Sequence, residues 1–181
     1  MSQLRPLSFV SAGFSLIDGL VATSVVAILA GIAATSASDS RARQLLLGAA
    51  TELEADLQQA HAWAQVLNAP IRLSFEAAEG GSCYVIHTGP TQDCSCLSPQ
   101  GAACEAGATP LRTVRFDGPQ GLQVSANVRS LTLDPLRGTL SPTGTVKMTA
   151  ANGAAVHQVI NLTGRIRTCS PTPGLAGFKA C

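Results

Sequence analysis

The chain has 181 residues, of which 46% are hydrophobic, 13% charged and 4% aromatic, with 17 Gly, 10 Pro and a formal net charge of +1. That length suits one membrane anchor and one soluble domain, and the glycine and proline content points to a soluble part rich in strands and turns. The chain carries no internal repeat and no low-complexity tail.

The first element opens on Gly13-Phe14-Ser15-Leu16-Ile17-Asp18 and runs into Gly19 to Ser38, which holds no charge. A carboxylate in an apolar helix is costly in lipid, about 2.5–3.5 kcal/mol at the bilayer centre, and calls for a partner. A cut between Gly13 and Phe14 creates one. The new ammonium group then lies about one helical turn from Asp18, on the same chain or a neighbouring subunit. Phe14 to Ala37 gives 24 residues, enough to span a bilayer. Arg5 on one side, and Arg41 and Arg43 on the other, leave the charge bias undecided.

These residues resemble the class III prepilin signal of type IV pilins and type II secretion pseudopilins, with Asp18 standing where that family usually has glutamate. The resemblance implies removal of residues 1–13 by a prepilin peptidase, N-methylation of Phe14, and a role for Asp18 in recruiting the subunit into a filament. It also implies a single-pass inner-membrane protein with a periplasmic domain, later carried in a pilus or pseudopilus at the cell surface. Two competing readings are a plain anchor and a secretory signal, whose cleavage site Ala30-Gly31-Ile32-Ala33-Ala34 can mimic.

Beyond the apolar run, Leu46, Ala50, Leu53, Leu57, Ala60, Ala64 and Leu67 recur at three- and four-residue steps, the mark of one apolar helix face. Glu52, Glu54 and Asp56 are expected on its remaining surface, and Trp63 as a core anchor. Asn68 and Pro70 end the helix, because the residue before proline avoids helical geometry. Phe14 to about Leu67 therefore reads as one rod, on the order of 80 Å long. Residues 14–37 form its membrane or filament-core part and 38–68 its periplasmic part.

From residue 69 to 181 the period changes to that of short strands. The candidates are Ile71 to Glu76, Cys83 to His87, Leu111 to Phe116, Leu122 to Val128, Ser130 to Leu133, Thr145 to Thr149, Ala155 to Asn161 and Arg165 to Thr168. Turn signals separate them, among them Asp117-Gly118-Pro119 and Ser141-Pro142-Thr143-Gly144. Asn152-Gly153 reads as a tight hairpin. One long helix followed by about eight strands predicts an α+β, pilin-like fold with antiparallel β-sheets packed on the helix.

Six cysteines, Cys83, Cys94, Cys96, Cys104, Cys169 and Cys181, suggest disulfides in an exported domain. A Cys169–Cys181 bridge tying down the C-terminus is the most economical pairing, leaving four cysteines to staple the loop from Thr88 to Pro110. The alternative is a zinc site using Cys94-Ser95-Cys96, but the spacing lacks the usual paired two-residue gaps. No metal or cofactor is expected. His61, His87 and His157 are dispersed, and no phosphate loop, nucleophile elbow or paired-histidine helix is present, so the chain does not read as an enzyme. Asn161-Leu162-Thr163 fits a glycosylation sequon, a triplet common by chance.

Charge is divided unevenly. Ser36 to Glu105 holds 3 Lys/Arg against 8 Asp/Glu, and Ala106 to Cys181 holds 8 against 2. The basic half either attracts the acidic half within the domain or meets a polyanion outside it. Near its end stands Gly164-Arg165-Ile166-Arg167. In an extended strand both guanidinium groups leave one face, about 6.8 Å apart, within reach of neighbouring phosphates. Gly164 lets the backbone turn or approach a ligand closely.

The anchor helix, the Ser141-Pro142-Thr143-Gly144 turn and the closing Gly-Arg-x-Arg-x-Cys segment together resemble the GspH/FimT family of minor pseudopilins, in particular its FimT branch. The resemblance implies a role in type IV pili and natural transformation, with Gly164, Arg165 and Arg167 contacting double-stranded DNA without sequence preference. Lys179 extends the patch if Cys169–Cys181 forms. Arg112, Arg115, Arg129, Arg137 and Lys147 are further candidates. Two phosphate contacts give a salt slope of only about −1.8, so a monomer binds weakly. The other reading is a structural, GspH-like minor pseudopilin that primes assembly of a pilus or type II secretion pseudopilus and contacts other pilin subunits alone.

Overall fold

The helical period continues without a break from Leu16 to Leu67, forming α1. The computed structural model describes residues 15–78, 80–90, 94–98, 100–117, 121–171, 175 and 177–181, with the side chains of residues 32–38 outside the description. Two compact units divide the chain, residues 1–38 and residues 39–181.

In the first unit Ser15 caps α1. Its hydroxyl accepts the Ile17 N–H at 3.3 Å and its own N–H donates to Asp18 Oδ2 at 3.3 Å, a reciprocal arrangement that satisfies two otherwise orphaned donors. Every described side chain from Ser15 to Gly31 is exposed, including Leu16, Ile17 and Leu20. Among the described residues no helix is long and apolar enough to cross a membrane. Part of the expected span, Phe14 and the side chains of residues 32–38, lies outside them.

In the second unit α1 buries Ala42, Leu46, Ala49, Ala50, Leu53, Leu57, Ala60 and Ala64, the three- and four-residue steps read from the sequence. Trp63 is half-buried against this core. The helix stops where Asn68 turns to a φ of 47°, the left-handed cap that Asn tolerates. Twelve strands follow: β1 (Ile71–Ala78), β2 (Gly81–Thr88), β3 (Cys94–Ser95), β4 (Ala103–Cys104), β5 (Pro110–Asp117), β6 (Leu122–Ala126), β7 (Ser130–Leu133), β8 (Leu140–Ser141), β9 (Gly144–Ala150), β10 (Ala155–Ile160), β11 (Ile166–Ser170) and β12 (Lys179–Ala180). The eight expected strands are all present. The four additional ones, β3, β4, β8 and β12, have two residues each, too short to show a period.

One sheet runs β5-β2-β1-β7-β8, a second runs β12-β11-β10-β9-β6, and β3 and β4 form a small ribbon. Pairing is antiparallel throughout except between β11 and β12. Both five-stranded sheets bury one face in the same core as α1, through Leu73, Tyr84 and Ile86 from the first, and Val146, Met148 and Ile160 from the second. The fully buried Gln158 donates its amide to the Ala50 carbonyl of α1 at 2.8 Å. The β9–β10 connection is wider than a two-residue hairpin. It closes through Ala150 N–H to Ala154 O at 2.8 Å, with Gly153 at a φ of 83°.

The helix charges need one correction. Asp56, expected on the helix surface, is buried, where its Oδ2 accepts from Tyr84 Oη at 2.8 Å and from Arg112 Nε at 2.6 Å. The second Arg112 fork reaches Glu52 at 2.8 Å.

Candidate functional site

Sheet alternation places the candidate site. Burial alternates along β9 with Val146 and Met148 inside and Lys147 and Thr149 outside, so one face of this sheet meets the core and the other meets solvent. No strand of the sheet carries Asp or Glu. The solvent face is therefore cationic through Lys147, Arg165, Arg167 and Lys179, all exposed and without an ion pair among the described residues.

The Gly-Arg-x-Arg segment sits where β10 turns into β11. Asn161 builds the turn, its Oδ1 accepting from Thr163 N–H at 3.1 Å, Thr163 Oγ1 at 2.9 Å and Arg165 N–H at 2.8 Å. The Leu140 N–H of β8 donates to the Leu162 carbonyl at 2.8 Å, so the loop is fastened to the first sheet as well. Gly164 has a φ of 75°, and a Cβ there would stand 2.7 Å from His61 Nε2. The close approach anticipated for Gly164 is thus made to the chain's own helix, and any ligand is left to the two arginines.

Of the other candidate cations, Arg112 and Arg115 are committed elsewhere, while Arg129 and Arg137 are exposed. Arg112 is held by Asp56 and Glu52, which raises its pKa, chiefly through the hydrogen bond to Asp56. Arg115 donates from Nη1 to the Cys96 carbonyl at 3.0 Å and to the Ser98 carbonyl. Both lie on β5, in the other sheet. Arg129 lies just before β7. Arg137, in the β7–β8 turn, gives its N–H to Asp134 Oδ1 at 3.0 Å. Hydrogen bonds from the N–H groups of Arg137 and Leu136 lower the Asp134 pKa.

The six cysteines form three bridges, Cys83–Cys96, Cys94–Cys104 and Cys169–Cys181. The first ties the segment after β3 to β2, and the second staples β3 to β4 within the ribbon. Cys94 and Cys96 enter different bridges, so the thiolates of the zinc alternative are spent. Glu76, within 4.8 Å of the Cys83 and Cys96 sulfurs, accepts instead from Ser95 Oγ at 2.9 Å and Cys96 N–H at 2.7 Å. The sites expected at Gly13 and Phe14 lie outside the described residues.

Of the histidines, His87 is buried and His61 and His157 are half-buried. His87 is buried between Ser74 Oγ and the Thr88 carbonyl, both at 2.8 Å. Burial lowers the pKa of His61 below 6.5. Burial, then the Lys147 charge, does the same to His157. In both, the fold favours the neutral ring, so unfolding takes up protons below pH 6.5 and stability falls as pH falls through that window. The urea midpoint is expected to drop between pH 7.5 and pH 5.5. The drop should be smaller in a His61→Asn, His157→Asn variant, and an equal drop there would assign the effect to other groups.

A family model described as type II transport protein GspH matches residues 49–164, more than half of the chain. The chain belongs to the GspH family. The match covers most of α1 in the second unit and the strands through β10, and it ends at Gly164. Arg165, Arg167 and Lys179 follow the segment shared with GspH. Among curated proteins none matches. Two crystal structures of the Pseudomonas aeruginosa type IV minor pilin FimU are similar. They are 26% and 25% identical, cover 69% and 68% of this chain and 88% and 91% of that one, and both have a TM-score of 0.48.

Proposed function

We propose that this GspH-family chain is a FimT-like minor type IV pilin that binds double-stranded DNA without sequence preference for uptake in natural transformation. The carrying observation is that Arg165 and Arg167 are both exposed and free of ion pairs among the described residues, on a sheet whose strands hold no carboxylate. Gly164 and the Asn161 turn set the position of the pair, and the arginines meet phosphate. Residues 1–13 are the leader removed by a prepilin peptidase. Phe14 is the methylated new terminus, residues 14–37 anchor the subunit in the inner membrane, and Asp18 joins it to other pilin subunits. The exposed apolar side chains from Leu16 onward support that anchor.

The family match, with its type II transport description, favours a second reading, a structural pseudopilin that primes filament assembly. A gel shift of the purified full chain with duplex DNA separates the two. Binding at low salt is expected, and Arg165→Ala with Arg167→Ala should move the salt slope toward zero by about 1.8. Binding indifferent to both substitutions removes the arginine pair from the reading, and no binding at all leaves the structural role. Terminal sequencing of cell-extracted chain should begin at Phe14; an intact Met1 end would remove the filament setting.

A further inference from the structure

Strand register brings together cations that are far apart in sequence. His157 on β10 lies opposite Lys147 of β9 on one side and Cys169 of β11 on the other. Cys169 in turn lies opposite Lys179 of β12. Directly paired residues project to the same face of a sheet, so Lys147, His157, Cys169 and Lys179 form one row across four strands. The next row toward the β10–β11 turn is Thr145, Val159 and Arg167. Arg165 follows two residues further out, where Asn161 N–H donating to Arg165 O at 3.2 Å continues the ladder.

The two lysines stand three strand spacings apart, about 14 Å at 4.8 Å per strand. The major groove of duplex DNA is about 12 Å wide, so flexible lysine side chains at that separation can reach phosphates on its two banks. β12 has two residues and is the sheet's edge strand. A pairing so short does not hold a strand by itself. Cys181, two residues beyond Lys179, is bonded to Cys169 on the same row, and this bridge fixes where Lys179 stands.

Resting on the DNA-binding reading above, we propose that Lys147 and Lys179 complete a four-cation phosphate-binding face with Arg165 and Arg167, and that the Cys169–Cys181 bridge holds the Lys179 corner in place. The face grips duplex backbone across a groove, with the aliphatic Val159 and the neutral His157 between the cations.

The test is the salt dependence of binding of a fluorescent mixed-sequence DNA duplex to the full chain in detergent micelles. Four phosphate contacts give a slope of about −3.6. Lys147→Gln and Lys179→Gln should each move it toward zero by about 0.9. Cys169→Ser with Cys181→Ser should match Lys179→Gln and add nothing to it. If loss of the bridge prevents folding, the two exposed lysine substitutions still decide the matter. A wild-type slope near −1.8 that neither lysine variant changes overturns this proposal and leaves the arginine pair standing. Affinity for the single strand equal to that for the duplex overturns the groove-spanning geometry. Absence of binding at low salt instead defeats the underlying reading.

Discussion

Arg112→Ala is expected to destabilise the domain by about 2–3 kcal/mol. Removing one partner of a buried ion pair leaves an uncompensated charge and costs about 3–5 kcal/mol. The Arg112 side chain is 38% exposed and that of Asp56 5%, so water reaches the arginine but not the carboxylate, and the figure is discounted accordingly. Among the described residues Asp56 would keep only the Tyr84 hydroxyl. Burial first, then the hydrogen bond to Asp56, pushes the Tyr84 pKa far up, so that hydroxyl remains a donor throughout the accessible range. Urea unfolding followed by the emission of Trp63, the single tryptophan, measures the loss. Replacing the set together, Arg112→Met, Asp56→Leu and Tyr84→Phe, should recover much of it, because an apolar set leaves no buried group unpaired. The proposed DNA binding should keep its salt slope in Arg112→Ala. A slope reduced by about 0.9 would return Arg112 to the proposed phosphate-binding face.

Gly164→Ala should destabilise by about 1–3 kcal/mol, for two separable reasons. A φ of 75° is left-handed and strains any side chain with a Cβ. The new Cβ would also stand 2.7 Å from His61 Nε2 and 3.3 Å from His61 Cε1, closer than van der Waals contact, so the imidazole must swing away. Combining Gly164→Ala with His61→Ala removes the contact and leaves the strain. The cost in that background should be smaller, and the coupling energy between the two sites isolates the contact. Equal costs in both backgrounds would mean that the ring moves freely and that strain acts alone. Because Arg165 follows Gly164 directly, any turn distortion should weaken the proposed DNA binding more than the loss of fold alone predicts.

Arg112 belongs to the charges that build the domain. The acidic side of α1 does attract the basic half of the chain, but it does so through Arg112. The outward row on β9 to β12 lies on carboxylate-free strands, so its cations have no such neighbour on their own sheet. The internal reading of the charge asymmetry therefore holds for Arg112, and the polyanion reading of the outward row belongs to the proposed function.

Local pattern carried much of this architecture. The helix from Leu16 to Leu67, its Asn68 stop, the eight longer strands and the Cys169–Cys181 pairing are readable because a period, a cap or a twelve-residue interval is complete within one stretch of chain. Asp56 shows where that reading stops, since a carboxylate on a helix looks solvent-facing until a tyrosine and an arginine from two other strands close over it. The four two-residue strands fail for a similar reason: they exist only through their partners. Strand order decided that Lys147 and Lys179 share a row, and that Arg112 and Arg115 belong to another sheet. Composition and spacing settle what each segment can form alone, but side chains distant in sequence meet only through backbone pairing, whose register no single segment contains.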